Sequence, residues 1–179
     1  MKIRKLLIAS AFSTLVMIVI MALHGAPLKI EGITPNGIVD LELAGTPPKA
    51  LAIYNAWGAA LRDRAIANTL IDFLFLVSYG ALLFSLIKTI TRTYSGAWYT
   101  AGRWFSIAVI IAACFDGIEN ILMIKILKGS MGKELVASTF MFAFVKFILL
   151  ALSICYILVS FSGRLFHNRN LPAHKLSHR

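Results

Sequence analysis

The chain has 179 residues, of which 59% are hydrophobic and 15% charged, and its formal net charge is +10. The apolar fraction exceeds the roughly 45–50% that is usual for soluble domains. It is concentrated in long runs, which favours an integral membrane protein over a soluble domain. The positive charge does not indicate a nucleic-acid partner, because Lys and Arg cluster at the ends of the apolar runs, where they meet anionic lipid.

Four apolar runs predict four membrane-spanning α-helices, at about residues 6–23, 67–89, 103–127 and 134–161. A helix of about 20 residues crosses a hydrocarbon core of about 30 Å. Short connections make the last three spans antiparallel neighbours. We therefore expect an all-α membrane protein, a four-helix up-down bundle in a single domain over residues 1–162, followed by a basic cytoplasmic tail at residues 163–179.

The first span follows a basic start, as a signal peptide does. Cleavage after Ala26 would leave His24 and Pro27 at unfavourable flanking positions, so we expect an uncleaved helix. Its nearly uniform apolar character predicts an anchor and packing wall that contributes little polar chemistry.

Residues 24–66 are expected to form an outer segment, an irregular loop followed by an amphipathic helix. Thr46 before Pro47 is typical of a helix start, and this helix is expected to bend into the second span or to be continuous with it. The stretch from Gly37 to Gly45 is interpreted as an extended strand with Asp40 and Glu42 on one side. It would cap a cavity, bind a cation or form a solvated edge, and the solvated edge is favoured.

Orientation follows from the basic residues near the span ends. With the N-terminus inside, ten Lys and Arg residues fall on the cytoplasmic side and seven on the outer side. The expected location is the bacterial inner membrane, with both termini in the cytoplasm.

Four ionisable residues fall within the spans: Asp72, Asp116, Glu119 and Lys146. A charge at the bilayer centre costs roughly 2.5–3.5 kcal/mol, so such groups are expected to face the bundle interior and find partners. Asp116, Glu119 and Asn120 share one helix face, because they are spaced at i, i+3 and i+4.

Depth can be counted at roughly 1.5 Å per residue, which places Asp72 about 8 Å and Glu119 about 12 Å below the outer surface. By the same rise, Asp116 and Lys146 both lie at about 16 Å and are expected to meet. The pattern predicts a polar cavity in the outer half of the bundle. The second span adds a polar stripe that descends from the outer surface, formed by Arg64, Asn68, Asp72 and Tyr79.

Three acids exceed what one Lys needs, so Arg64 is expected to reach Asp72, or at least one carboxyl to carry a proton. The leading interpretation is a non-enzymatic site that binds or transports a small cationic or lipid-headgroup ligand; transport would require a homo-oligomer. The candidate ligand-binding residues are Asp72, Asp116, Glu119, Asn120, Lys146, Asn68, Tyr79 and Arg64.

Three other interpretations stay open. The buried charges could serve only as interhelical contacts. The chain could be a membrane-embedded enzyme that acts on a lipid or isoprenoid, with paired carboxylates as acid and base or as ligands of a divalent cation. It could also be a structural partner in a membrane complex. No particular cofactor or metal is indicated.

Two stretches, Asp40–Gly45 leading to Trp57 and Phe115–Asn120, resemble small uncharacterised four-helix bacterial integral membrane proteins. The resemblance spans most of the chain. It implies a helical membrane fold and carries no known activity.

Overall fold

The computed structural model describes the backbone of residues 2–169 and the side chains of residues 2–163. This part of the chain is helical and contains no strand. The five α-helices are α1 (Lys2–Gly25), α2 (Ile38–Glu42), α3 (Pro47–Thr91), α4 (Gly96–Leu127) and α5 (Lys133–Arg169), and a 3-10 turn, Ala26–Leu28, follows α1. Helices α1, α3, α4 and α5 are long and apolar enough to cross a membrane. The predicted all-helical class is therefore confirmed.

The predicted loop between the second and third spans is shorter than expected, because α4 already begins at Gly96. Its first turns are fixed by packing on α5. The indole of Trp98 donates a hydrogen bond to Ser160 Oγ at 2.9 Å, and the hydroxyl of Tyr94 donates to the Ser160 carbonyl at 2.5 Å. At the other end, α5 continues to Arg169, and the remainder of the predicted tail, residues 170–179, lies outside the described residues.

The helix α3 contains one break, at Gly58, where φ is 57° and ψ is −173°. Only glycine adopts this conformation without strain. The break separates an outer part, residues 47–57, from the long part, residues 59–91. The break therefore lies within the predicted outer segment, and the helix is continuous from residue 59 through the start of the second span.

The predicted strand between Gly37 and Gly45 is wrong, because residues 38–42 form the short helix α2. Both glycines have positive φ, 67° and 68°, so the chain turns sharply at each end of the helix. Asp40 accepts hydrogen bonds from the backbone and side-chain nitrogens of Asn36. Helical winding turns Leu41 and Glu42 inward together, which an alternating strand would not do.

The long helices pack as neighbours in the order α1, α3, α4, α5. Two apolar clusters lie at opposite ends of the molecule. The first surrounds Leu28, Leu41 and Trp57, and the second surrounds Ile87 and Val109. Between them lies a layer of buried polar side chains, which contains the candidate site.

The prediction that the first span has little polar chemistry is wrong. The buried residues of α1 are Ser10, Thr14 and Met17, and its Ser13 shares a hydrogen bond of 2.7 Å with Ser78 on α3. Small side chains allow helices to pack closely, so the polar face of α1 is the face that packs.

Candidate functional site

The site is centred on the ammonium group of Lys146, which α5 buries in the middle of the molecule. Its Nζ atom lies 2.5 Å from Asp116 Oδ1 and also donates a hydrogen bond to Glu119 Oε2. A third carboxyl oxygen, Glu42 Oε2, lies 3.3 Å away. One cation is therefore shared by three carboxyl groups from two helices, α2 and α4.

Regular helix geometry explains two of these three contacts. Asp116 and Glu119 are three residues apart on α4 and therefore lie on one face, one turn from each other. Their side chains meet the same amine from α5, and both residues are almost fully buried. The contact between Asp116 and Lys146 that their equal depths predict is present.

Helix α3 contributes two more polar groups to the site. The hydroxyl of Tyr79 donates a hydrogen bond of 2.6 Å to Asp116 Oδ2, the oxygen that Lys146 does not use. One turn nearer the outer segment, Asn120 Nδ2 donates to Asp72 Oδ2 at 2.7 Å. These bonds tie α3 to α4 and place Asp72 beside the Lys146 cluster, where no basic side chain among residues 2–163 forms a salt bridge with it.

Arg64 and Asn68 do not join this site. Arg64 Nε donates to the carbonyl oxygen of His24 at 2.8 Å. Asn68 Nδ2 lies 3.4 Å from His24 Nδ1 and 3.8 Å from Met21 Sδ. Both residues fasten the end of α1 to α3, so the expected contact between Arg64 and Asp72 is absent. Arg64 therefore does not neutralise a carboxyl group of the site.

A cavity of about 410 Å³ opens beside the cluster. Its polar lining lies at one end, and the rest of its wall is apolar. The lining residues come from α1, α2, α3 and α5, with a single contribution from α4. They are Thr14, Ile18, Met21, Ile38, Val39, Glu42, Asp72, Phe75, Tyr79, Leu82, Leu83, Asp116, Lys146, Phe147, Leu150 and Ile154.

Several buried oxygens at this end accept no hydrogen bond from the described residues. They are Oε2 of Glu42, Oε1 of Glu119 and the hydroxyl of Thr14. Glu42 Oε2 is close to Lys146 but outside hydrogen-bonding geometry, so the contact is an ion pair alone. Buried polar atoms are normally satisfied. Glu42 and Thr14 line the cavity, so their oxygens are free to accept hydrogen bonds from a ligand or from water.

Glu42 differs electrostatically from an exposed glutamate. Burial raises the pKa of Glu42 above its ordinary value of 4.5; Lys146 opposes this increase, and the neighbouring Asp116 carboxylate adds to it. The raised pKa shows that Lys146 does not fully compensate Glu42. A further positive group in the cavity would stabilise its charged form.

Sequence reasoning missed Thr14 as a site residue, and the solvated edge that it favoured for Glu42 is wrong, because Glu42 is buried and lines the cavity. Glu42 stands in the apolar sequence Ile38–Ala44, between two glycines that permit sharp turns. An acid in so apolar a stretch is a signal that it faces something polar. Thr14 carried no signal, because a single hydroxyl in an apolar span is common and commonly bonds to its own helix.

The described residues contain no group of three or more His, Cys, Asp and Glu side chains that could hold a metal ion. No protein-family model matches the chain, and no match emerges among curated proteins or solved structures. The geometry of the site is therefore the basis for any functional conclusion.

Proposed function

We propose that this chain is a four-span membrane protein. The proposal is supported by the long helices, which expose large apolar residues and bury small polar ones, the reverse of the arrangement in a soluble protein. On α1, Phe12 and Leu23 are 70% and 71% exposed, while Ser10 and Thr14 are buried. Monomeric soluble proteins rarely expose apolar patches of more than a few hundred Å², whereas lipid is a suitable solvent for such a surface.

The spans form an up-down bundle with both termini on the cytoplasmic side. Contacts between neighbouring helices run in opposite chain order, as in the pair of α4 with α5, where Phe105 stacks on Tyr156 and Phe115 meets Phe142 edge to face. A pocket at the proposed inner end is lined by Lys88, Arg92 and Arg103 without any acid, which agrees with the excess of basic residues on cytoplasmic ends.

Reporter fusions test this orientation in cells. A periplasm-dependent phosphatase fused after Ser130 is expected to be active, and one fused after Thr93 inactive. The reverse pattern would place the candidate site on the cytoplasmic side and would refute the assignment.

Within this bundle, the acidic cavity binds or transports a small ligand with a cationic or hydrogen-bond-donating head. The proposal depends mainly on one observation, the excess of negative charge around Lys146. Three carboxyl groups, those of Glu42, Asp116 and Glu119, contact one ammonium group, and a fourth, that of Asp72, lines the same cavity. If all are ionised, the sum of four negative charges and one positive charge is three negative charges.

A cationic head would reduce this imbalance, since opposite charges interact strongly where water is scarce. Aromatic side chains complete a suitable environment. Phe75, Tyr79 and Phe147 line the same cavity, and the face of an aromatic ring attracts ammonium groups. Acids together with aromatic rings favour an amine or a quaternary ammonium over an anion.

The test uses tetramethylammonium as the simplest head and follows the melting temperature of the purified protein in detergent. Wild type is expected to be stabilised. Asp72→Asn is expected to bind at least about tenfold more weakly, because a contact to a charged group contributes roughly 1.5–3 kcal/mol. This variant leaves the three carboxyls that contact Lys146 unchanged, and its melting temperature without ligand shows whether it is folded.

Glu134→Gln is the matched control, since Glu134 is exposed at the start of α5 and does not line the cavity. It is expected to bind as wild type does. Equal stabilisation of wild type and Asp72→Asn, or no stabilisation of wild type, contradicts the proposed function.

A further inference from the structure

The cavity is elongated, and its polarity changes along its length. On α3 the lining runs from Asp72 to Leu83, eleven residues or about 16 Å. On α5 it runs from Lys146 to Ile154, eight residues or about 12 Å. The charged groups lie at one end, and the other end is formed by leucine and isoleucine side chains. A small cation would occupy only the charged end.

The apolar end is continuous with the outer surface of the helices. Helix α1 packs along α3, and α5 packs along α4, so that α1 and α5 form opposite walls without extensive contact between them. Ile18 of α1 and Ile154 of α5 line the cavity and are nevertheless 49% and 43% exposed. The cavity therefore has a side opening between these two helices.

We propose that the ligand is a single-chain amphiphile with an amine or quaternary ammonium head, which enters from the bilayer through the opening between α1 and α5. This assignment rests on the proposed function. The head lies among Glu42, Asp72 and Asp116, and the alkyl chain lies along Leu83, Leu150 and Ile154.

The cationic head determines which ligands bind, and the alkyl chain determines that they enter from the bilayer. Lipid tails are as apolar as leucine, so an alkyl chain gains little free energy by moving from the bilayer into the cavity. A side opening removes the need to extract the chain into water, which would slow entry about fourfold for each methylene. A charged cavity closed to the side would admit only heads that arrive from the aqueous phase.

The experiment uses the full-length protein in detergent and an alkyltrimethylammonium probe with a photoreactive diazirine at the chain end. After irradiation, mass spectrometry of peptides locates the labelled residues. We expect labelling to concentrate on the cavity-facing parts of α3 and α5 around Leu83, Leu150 and Ile154. A probe of equal chain length with a sulfonate head is expected to label these peptides at least about tenfold less, which corresponds to roughly 1.4 kcal/mol.

Two variants of α5 form a matched pair. Leu150→Trp fills the apolar end of the cavity and is expected to reduce the labelling of α3 about tenfold or more, because the indole ring occupies the space that the alkyl chain needs. Leu152→Trp adds the same ring two residues away at a position that is exposed and does not line the cavity. It is expected to leave labelling of α3 unchanged.

The outcomes separate this inference from the proposed function. If tetramethylammonium stabilises wild type but the probe labels all exposed helix faces equally, the chain assignment is overturned and the cation site stands. If neither the probe nor tetramethylammonium distinguishes wild type from Asp72→Asn, both fail. If a second copy of the chain fills the opening, the probe labels neither wall and chemical cross-linking yields dimers through α1 and α5, which also overturns the assignment.

Discussion

Replacement of Lys146 by Met tests the electrostatic core of the site. Met has a similar length and no charge, so the change removes the ammonium group while it preserves most of the packing. Loss of one partner from a buried ion pair costs roughly 3–5 kcal/mol, because the remaining charge stays buried without compensation. Lys146 contacts three carboxyl groups. We nevertheless expect a loss of about 3–5 kcal/mol rather than three times that value, because the carboxyls can take up protons.

Reversible unfolding by dodecyl sulfate in mixed micelles, followed by circular dichroism, measures this loss. Lys128→Met is the control, because Lys128 is exposed and its removal is expected to change stability by less than about 0.5 kcal/mol. In the double variant Glu119→Gln/Lys146→Met, the loss is expected to be smaller than the sum of the single losses by about 0.5–3 kcal/mol. A loss below about 1 kcal/mol for Lys146→Met at neutral pH would refute the argument that this amine compensates buried carboxylates.

Two further predictions concern packing and pH. Gly102→Ala is expected to lower stability by about 1–3 kcal/mol, because a methyl group there would overlap the hydroxyl of Thr91, whereas Gly132→Ala, which meets no neighbour within 4 Å, is expected to be nearly neutral in the same unfolding assay. Glu42→Gln is expected to flatten the pH dependence of stability. The pKa of Glu42 is raised in the folded state, so its contribution is full below 4.5 and is lost as the pH rises through the folded-state value. Unfolding curves of wild type and Glu42→Gln at several pH values measure this difference; Glu31→Gln, at an exposed position, is the matched control, and parallel curves for wild type and Glu42→Gln would contradict the prediction.

The long helices and the central ion pair were accessible to sequence reasoning because helix geometry is nearly constant. A fixed rise and period place Asp116, Glu119 and Lys146 at compatible depths, and the structure brings them together. The same arithmetic gave no information on the direction of long side chains. Arg64 is one turn above Asn68 on the expected stripe, yet its guanidinium reaches the carbonyl end of α1 rather than Asp72.

The outer segment was predicted less well, for a physical reason. Residues 39–43 alternate apolar and acidic side chains, which is the pattern of a half-buried strand. Their actual helix has only five residues and obtains its stability from tertiary contacts, with Leu41 in the apolar cluster around Trp57. Short helices of this kind have weak local signals. The error in local structure therefore also concealed the burial of Glu42.

Glu42 also distinguishes two explanations of the Lys146 cluster, one in which it only holds the helices together and one in which it binds a ligand. Contacts between helices account for Asp116, whose two oxygens bind Lys146 and Tyr79, and for the bond between Asn120 and Asp72. They do not account for a fourth carboxyl. Helix α2 is already held by Leu41 in an apolar cluster, and an apolar residue in place of Glu42 would avoid both desolvation and repulsion by Asp116. A buried acid that weakens the fold is explained by a positive ligand that it helps to bind. On this reasoning Glu42→Gln stabilises the unliganded protein and weakens its binding of tetramethylammonium, whereas a purely structural role predicts a loss of stability and unchanged binding.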